Sequence, residues 1–233
     1  MTFAEQVLKY YKGLRISEPL PPGIEVMNPY QDKEAFAVCK AFYGRFYNDN
    51  QKRIVILGIN PGRFGAGITG VPFTDPVKLE TLFGIQSSLP KKAELSADFI
   101  HAVIAGFGGP ERFFSKYFIN SISPLGFTKE GKNLNYYDRP DLKTALAPFI
   151  RRSMRKLLTF NIERGVVFCL GEGTNYRSFQ ELNAEQKYFG QIVPLAHPRF
   201  IMQYRRKKLA DYLEQYLQKL NAHASSSDGT TVS

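Results

Sequence analysis

The chain is poor in the residues on which metal and redox chemistry draw. Its 233 residues include two cysteines and three histidines. Cys39 and Cys169 each fall in an apolar segment, so they read as small core residues of a reducing compartment. No apolar run is long enough to cross a bilayer, and the amphipathic N-terminal stretch does not have the pattern of a signal peptide. Gly-Lys-Ser and Gly-Lys-Thr are absent, which excludes a P-loop, and no helix is expected to follow the glycine-rich loop at once, as a dinucleotide fingerprint requires. No internal repeat is present. Acidic side chains are also scarce: 21 Asp and Glu stand against 31 Lys and Arg, a net charge of +10. That balance favours a polyanionic partner such as nucleic acid, although a merely basic protein carries it too.

The residues that are present describe one α/β domain. Hydrophobic residues make up 43% of the chain, enough for a sizeable core. Helical spacing marks Thr2–Leu14, with Thr2 as N-cap, and Gln31–Tyr47. A further helix starts at Asp75-Pro76, as cap and first-turn proline, and another at Ser96. Pro110–Ser115, Asp141–Ile162, Thr174–Lys187 and Tyr204–Leu220 complete the helices. Ser17–Tyr30 and Gly126–Pro140 read as irregular connections. Short β-branched or aromatic runs mark four strands at Ile54–Leu57, Lys116–Ile122, Gly165–Gly171 and Gln191–Leu195. The last contains Pro194 and so belongs at an edge. Strands alternating with helices predict a three-layer α/β/α fold around a four-stranded parallel sheet. The domain is expected over residues 1–221, with a Ser/Thr/Gly-rich disordered tail over 222–233.

In such a sheet, function lies beyond the carboxyl ends of the strands. The first strand runs into Gly58-Ile59-Asn60-Pro61-Gly62 and a long glycine-rich loop ending at Phe73. Ordering a loop of that length costs conformational entropy unless it contacts something. The second strand ends in Asn120, Ser121 and Ser123, and the fourth delivers Ala196-His197-Pro198-Arg199. His197 is the one histidine at a strand end, because His101 lies on an expected helix and His223 in the tail.

The run GINPG followed by FG and TGVPF resembles the first motif of the single-strand-selective monofunctional (SMUG-type) uracil-DNA glycosylases. FINSISPL followed by GKNL resembles their central strand and loop, and His197-Pro198-Arg199 their second motif, HPSPR. In that order the three span most of the chain, as a divergent, bacterial-like branch of the uracil-DNA glycosylase superfamily.

The resemblance implies a glycosylase that flips uracil out of DNA and hydrolyses its N-glycosidic bond, leaving an abasic site for base excision repair. Asn60 would hold the attacking water, and His197 would hydrogen-bond the uracil O2 as negative charge collects there. Gly58, Ile59, Pro61, Gly62, Phe73 and Ser121 would line the base site, with Phe73 stacking on the base. Neither motif brings a carboxylate, so attack is expected to rest on positioning. Gly62 stands where uracil-restricted relatives carry a bulky ring against C5, which leaves room for a 5-substituent. Ser121 stands where the pattern has an Asn that reads the uracil N3/O4 edge, and one hydroxyl cannot replace an amide's paired donor and acceptor. Pro198, Arg199, Phe200, Ile201 and Met202 would contact DNA or wedge the vacated stack. Their alternative is a hydrophobic staple for the final helix. Arg205 and Arg206 would hold phosphates. No metal, cluster or other cofactor is implied, and the partner is uracil-containing DNA, single- or double-stranded. A cytoplasmic or nucleoid-associated monomer without membrane contact is expected. A glycosylase for another deaminated or oxidised base, an inactive DNA-binding module and a nucleotide-binding α/β protein remain alternatives.

Overall fold

The computed structural model describes residues 1–226. In chain order its elements are α1 (Phe3–Lys12), β1 (Glu25–Met27), α2 (Lys33–Phe46), β2 (Arg53–Gly58), α3 (Ala66–Thr69), α4 (Pro76–Phe83), α5 (Leu95–Gly106) and α6 (Pro110–Lys116). They continue with β3 (Tyr117–Ser121), β4 (Gly126–Lys129), β5 (Lys132–Leu134), α7 (Pro140–Leu157), β6 (Ile162–Leu170), α8 (Thr174–Gln186), β7 (Gln191–Leu195), α9 (Pro198–Tyr204) and α10 (Leu209–Ser226). Several boundaries follow from local chemistry. Thr2 and Glu5 form a reciprocal capping box at α1, and the Asp75 carboxylate accepts the Lys78 amide at 2.9 Å to open α4 behind Pro76.

The central sheet has the order β3-β2-β6-β7, every pair parallel, with the proline-bearing β7 at an edge as expected. Helices cover both faces, and neighbouring residues of β3 show it. The Tyr117 hydroxyl donates to the Leu220 carbonyl of α10, whereas the Phe118 ring packs edge-on against Phe3 of α1 and Tyr47 beyond α2. The three-layer arrangement and four-stranded parallel sheet predicted from the alternating pattern are those observed.

Arg53 opens β2 wholly buried, which no local pattern announces. Its guanidinium lies between the rings of Phe3 and Tyr47, 4.7 Å from each centroid, and pairs with both carboxylate oxygens of Asp49 at 2.8 and 2.9 Å. A further bond to the Phe114 carbonyl, at 2.7 Å, helps satisfy the planar fork. This ion pair fastens the start of the central strand to the layer of α1 and α2.

The structure corrects the sequence reading in five places. Gly126–Pro140 is not all loop: β4 and β5 form a hairpin, joined antiparallel by β1 from the stretch expected to be irregular. The strands are only three or four residues long, too short for alternation to register. The helix expected to run to Ile162 ends at Leu157, because β6 claims Ile162. The helix assigned an N-cap at Ser96 begins at Leu95, behind Glu94, which makes no capping bond. Pro198–Tyr204 forms a helix of its own, and Arg206–Lys208 is a 3-10 turn between it and α10. Finally, α10 continues to Ser226, so the expected tail is helical over 222–226; its remainder, 227–233, lies outside the described residues.

The basic side of α7 is occupied within the protein. Arg151 pairs with Glu185 at 2.8 Å, Arg152 with Glu18, and Arg155 donates to the Gln186 side-chain oxygen Oε1. A solvated, internally paired helix face accounts for those side chains. Among the described residues, no helix is long and apolar enough to cross a membrane.

Candidate active site

The parallel register brings Gly58, Ser121, Leu170 and Leu195 to one edge of the sheet, and the segments beyond them enclose a cavity of ≈ 490 Å³. Its floor is the end of β2. A Cβ added at Gly58 would stand 3.4 Å from the Phe73 ring and 3.5 Å from Ser121 Oγ, so the absent side chain is what lets these two groups approach across the strand. The two strands stay joined past the sheet, through Ile122 N to the Gly58 carbonyl at 3.0 Å and Ser123 N to the Ile59 carbonyl at 3.1 Å.

Asn60 borders the cavity with its amide held in place. Nδ2 donates to the Leu134 carbonyl at 3.1 Å and to the Pro61 carbonyl at 3.3 Å, while Oδ1 accepts the Tyr136 amide at 3.0 Å. Both amide hydrogens are thereby used, and one lone pair of Oδ1 remains to accept a hydrogen bond. The β4–β5 hairpin supplies this frame. It lies so close to the loop that a Cβ at Gly126 would meet the Pro61 carbonyl oxygen at 2.4 Å. The Tyr136 hydroxyl in turn donates to Asn175, whose amide holds the end of β6 at Leu170.

His197 lies on the far side, at the N-cap of α9. Its Nδ1 accepts the Arg199 amide at 3.2 Å, which leaves the ring proton on Nε2 as a free donor. Removal from water pushes the imidazole down to about 4, and the nearby Arg199 charge acts in the same direction. It is therefore neutral at physiological pH. The Phe73 ring stands 6.3 Å from the imidazole, tilted by 54°. Phe73 itself has a left-handed backbone, φ 51°, in a turn tied by Thr69 Oγ1 donating to the Thr74 carbonyl at 2.7 Å. A β-carbon residue held in that region stores strain where the loop turns its ring to the cavity.

Ser121 faces the cavity, and its Oγ has no partner among the described residues. Asn120 is buried on the opposite side, as strand alternation requires, and its Oδ1 accepts the Ser121 amide at 2.8 Å. That bond removes the Ser121 backbone donor from any role in the cavity.

One lining residue carries a charge that no motif announces. Glu94, just before α5, lays its carboxyl across the glycine-rich loop. Its Oε1 would be 3.2 Å from a Cβ at Gly62, and Oε2, buried against Gly65, has no hydrogen-bond partner. Burial pushes this carboxyl up to about 7, with Asp75 adding and Ser96, Lys78 and Arg199 opposing. The space expected to be free beside Gly62 is thus taken by Glu94. A second cavity of ≈ 590 Å³ adjoins the first across Glu94 and Arg199, and is lined also by Arg63, Phe64 and Lys132.

The structure therefore gathers Gly58, Ile59, Asn60, Pro61, Gly62, Phe73, Ser121, His197, Arg199 and Phe200 around one cavity, from three separate stretches of chain. Arg205 and Arg206 are exposed nearby. Pro198, Ile201 and Met202 are not available to DNA: all three are buried, because the short helix turns that side to the core. Phe200, 40% exposed, and Tyr204, 61% exposed, form the outer rim instead, and Arg205 lies over the Phe200 ring. Glu94, Asn133, Gln203 and Tyr204 also line the cavity and were not singled out by sequence. Two of them had a sequence signal: Asn133 lies in the GKNL run, and Tyr204 follows Phe200 by four positions. Among the described residues, no group of three or more His, Cys, Asp and Glu is placed to hold a metal ion.

Comparison with known proteins matches residues 45–221 to the Uracil DNA glycosylase superfamily. The single-strand selective monofunctional uracil-DNA glycosylase of Rattus norvegicus is 30% identical over 112 residues, 40% of this chain and 40% of the relative; the corresponding protein of Mus musculus is 28% identical over the same length. The chain thus aligns with well under half the length of these curated relatives. The crystal structure of wild-type Pedobacter heparinus SMUG2 superposes with a TM-score of 0.94 at 44% identity, covering 97% of this chain and 99% of that one.

Proposed function

The chain belongs to the uracil-DNA glycosylase superfamily, and from that premise we propose that it is a monofunctional uracil-DNA glycosylase, hydrolysing the N-glycosidic bond of a uracil turned out of DNA. The observation that carries this reading is the convergence of Asn60 and His197 on one cavity. At ≈ 490 Å³ the cavity falls within the range of small-ligand sites, roughly 300–1,000 Å³.

Cleavage of the bond builds positive charge on the sugar and negative charge on the departing base. The neutral His197 offers Nε2–H to the uracil O2, a fixed donor needing no reorganisation as the charge develops. Asn60, immobilised by three backbone contacts, presents its remaining Oδ1 lone pair to the water that attacks C1′. Phe73 stacks on the base, and Ser121 Oγ addresses its polar edge. No lysine lines this cavity among the described residues, which supports hydrolysis over Schiff-base chemistry. Arg199, Phe200 and Tyr204 follow the DNA strand at the rim, while Arg205 and Arg206 meet phosphates. The net charge of +10 fits that partner. We place the enzyme in the cytoplasm, acting on the nucleoid as a monomer.

Release of free uracil from single- and double-stranded oligonucleotides tests the reading, with Asn60→Ala and His197→Ala as controls. Absence of base release by the wild-type chain would sink it. A second reading, excision of another deaminated or oxidised base, is favoured by Ser121, whose lone hydroxyl stands where a uracil reader would be an amide. A substrate panel in which another base is released faster than uracil would select it.

A further inference from the structure

The reaction proposed above needs a destination for a proton, and neither Asn60 nor His197 provides one. Asn60 has both amide hydrogens committed, and its carbonyl can hold a water but not deprotonate it. His197 has Nδ1 engaged and Nε2 already protonated. Glu94 is the one carboxylate bordering the base cavity among the described residues. Gly62, against which its Oε1 rests, follows Asn60 by two residues, at most about 7 Å along the chain.

Resting on the glycosylase reading, we infer that the Glu94 carboxylate is the general base that accepts the proton of the hydrolytic water, directly or through one further water. The oxygen of that water forms the bond to C1′ as the C1′–N1 bond breaks. The bonding pair leaves on the uracil, where His197 Nε2–H meets it, and the water proton passes to Glu94. The atoms and charge then balance without a cofactor.

The setting of Glu94 is that of a group kept for proton transfer. Its Oε2 is buried with no hydrogen-bond partner, an arrangement that costs stability and that a structural carboxylate would avoid. The residue is nonetheless positioned firmly, its backbone N–H donating to Asp75 Oδ2 at 3.0 Å. Asp75 is itself neutralised by Lys78, which also pairs with Asp98. The other charged or titratable groups around the two cavities are Arg199, Arg63, Lys132, His197 and Tyr204. Burial lifts the Glu94 carboxyl to about 7, where a base is strong enough to act and still ionised in a useful fraction.

The test is single-turnover uracil release by the full chain between pH 5 and 9. The wild type is expected to lose activity as pH falls through about 7. Glu94→Gln is expected to be slower by about 10²–10⁴-fold at pH 8 and to lose that limb, with binding of uracil-containing DNA unchanged. Glu94→Ala provides a second readout, because formate diffusing into the vacated space restores a carboxylate base and with it part of the rate. A purely structural Glu94 would show neither a limb tied to it nor rescue by formate. Glu94→Gln with near wild-type rate, an unmoved limb, or activity that rises as pH falls would overturn the inference. A wild-type chain that releases no uracil at all would instead overturn the underlying function.

Discussion

Replacing His197 by alanine removes two separate things. One is the Nε2–H donor of a ring that lines the cavity, its tautomer set by the Arg199 amide at 3.2 Å on Nδ1. A single fixed donor to a developing oxyanion is worth about 10²–10³ in rate. The other is the cap of α9, worth about 1 kcal/mol of stability. His197→Asn separates them, because asparagine caps a helix well but is too short to place a donor where Nε2 stands. Both variants are expected to release uracil about 10²–10³ times more slowly under single turnover with enzyme in excess. Only the alanine variant should also lose about 1 kcal/mol in urea unfolding. The pH dependence gives a further check. Since the imidazole stays neutral down to about 4, its contribution is the same from pH 5 to 8, and the ratio of wild-type to His197→Ala rates is flat across that range. If an imidazolium were the working form, the ratio would climb as pH fell below roughly 6.5. A ratio near one, or one climbing toward acid, refutes the assignment.

Asn60→Ala should lower the single-turnover rate by about 10²-fold or more while leaving the affinity for uracil-containing DNA intact, as gel shift or anisotropy would record. Reversing the charge of Arg205 and Arg206 together should weaken DNA binding and flatten its salt dependence, with unfolding unchanged; equal affinity at low salt would reject their phosphate role. Asp49→Ala leaves the buried Arg53 guanidinium unpaired and should cost about 3–5 kcal/mol in urea unfolding. Arg53 holds the Asp49 carboxyl below its ordinary value, so the unfolded state binds the proton more readily than the folded one. The stability contributed by this pair is therefore fully present above the ordinary carboxylate value, about 4, and is lost as pH falls from there through the depressed value of the folded state. Acid unfolding of wild type and Asp49→Ala should converge at low pH.

Much of the framework could be read from short stretches of chain. The run Ile54–Leu57 is buried throughout, Pro194 sits on an edge strand, and Thr2 and Asp75 cap helices where the pattern put them. Each of these depends on chemistry within a few residues. That Asn60 and His197 would border one cavity was legible for a related reason: residues that leave the ends of parallel strands in one sheet must emerge on one side.

Other features had no local signature. The β4–β5 hairpin is too short for alternation to show, yet its Leu134 carbonyl helps orient Asn60. Ile201 and Met202 read equally as a DNA wedge or as a hydrophobic staple, because apolar residues preceding a helix look alike whether they meet solvent or core. The turn of α9 around its His197 cap decided that they are buried and that Phe200 and Tyr204 are not. Arg53 reads as a charged strand residue and proves to be a buried ion-paired core residue.

Glu94 shows the division most clearly. It follows Gly62 and Gly65 by 32 and 29 positions, and neither has a side chain to advertise a contact. Composition and periodicity could prescribe the sheet, the caps and the strand-end residues, because those obey near-neighbour geometry. Which carboxyl comes to rest against which glycine, and which oxygen is left without a partner, depends on closure of the chain over long separations, and only folding in three dimensions settles that.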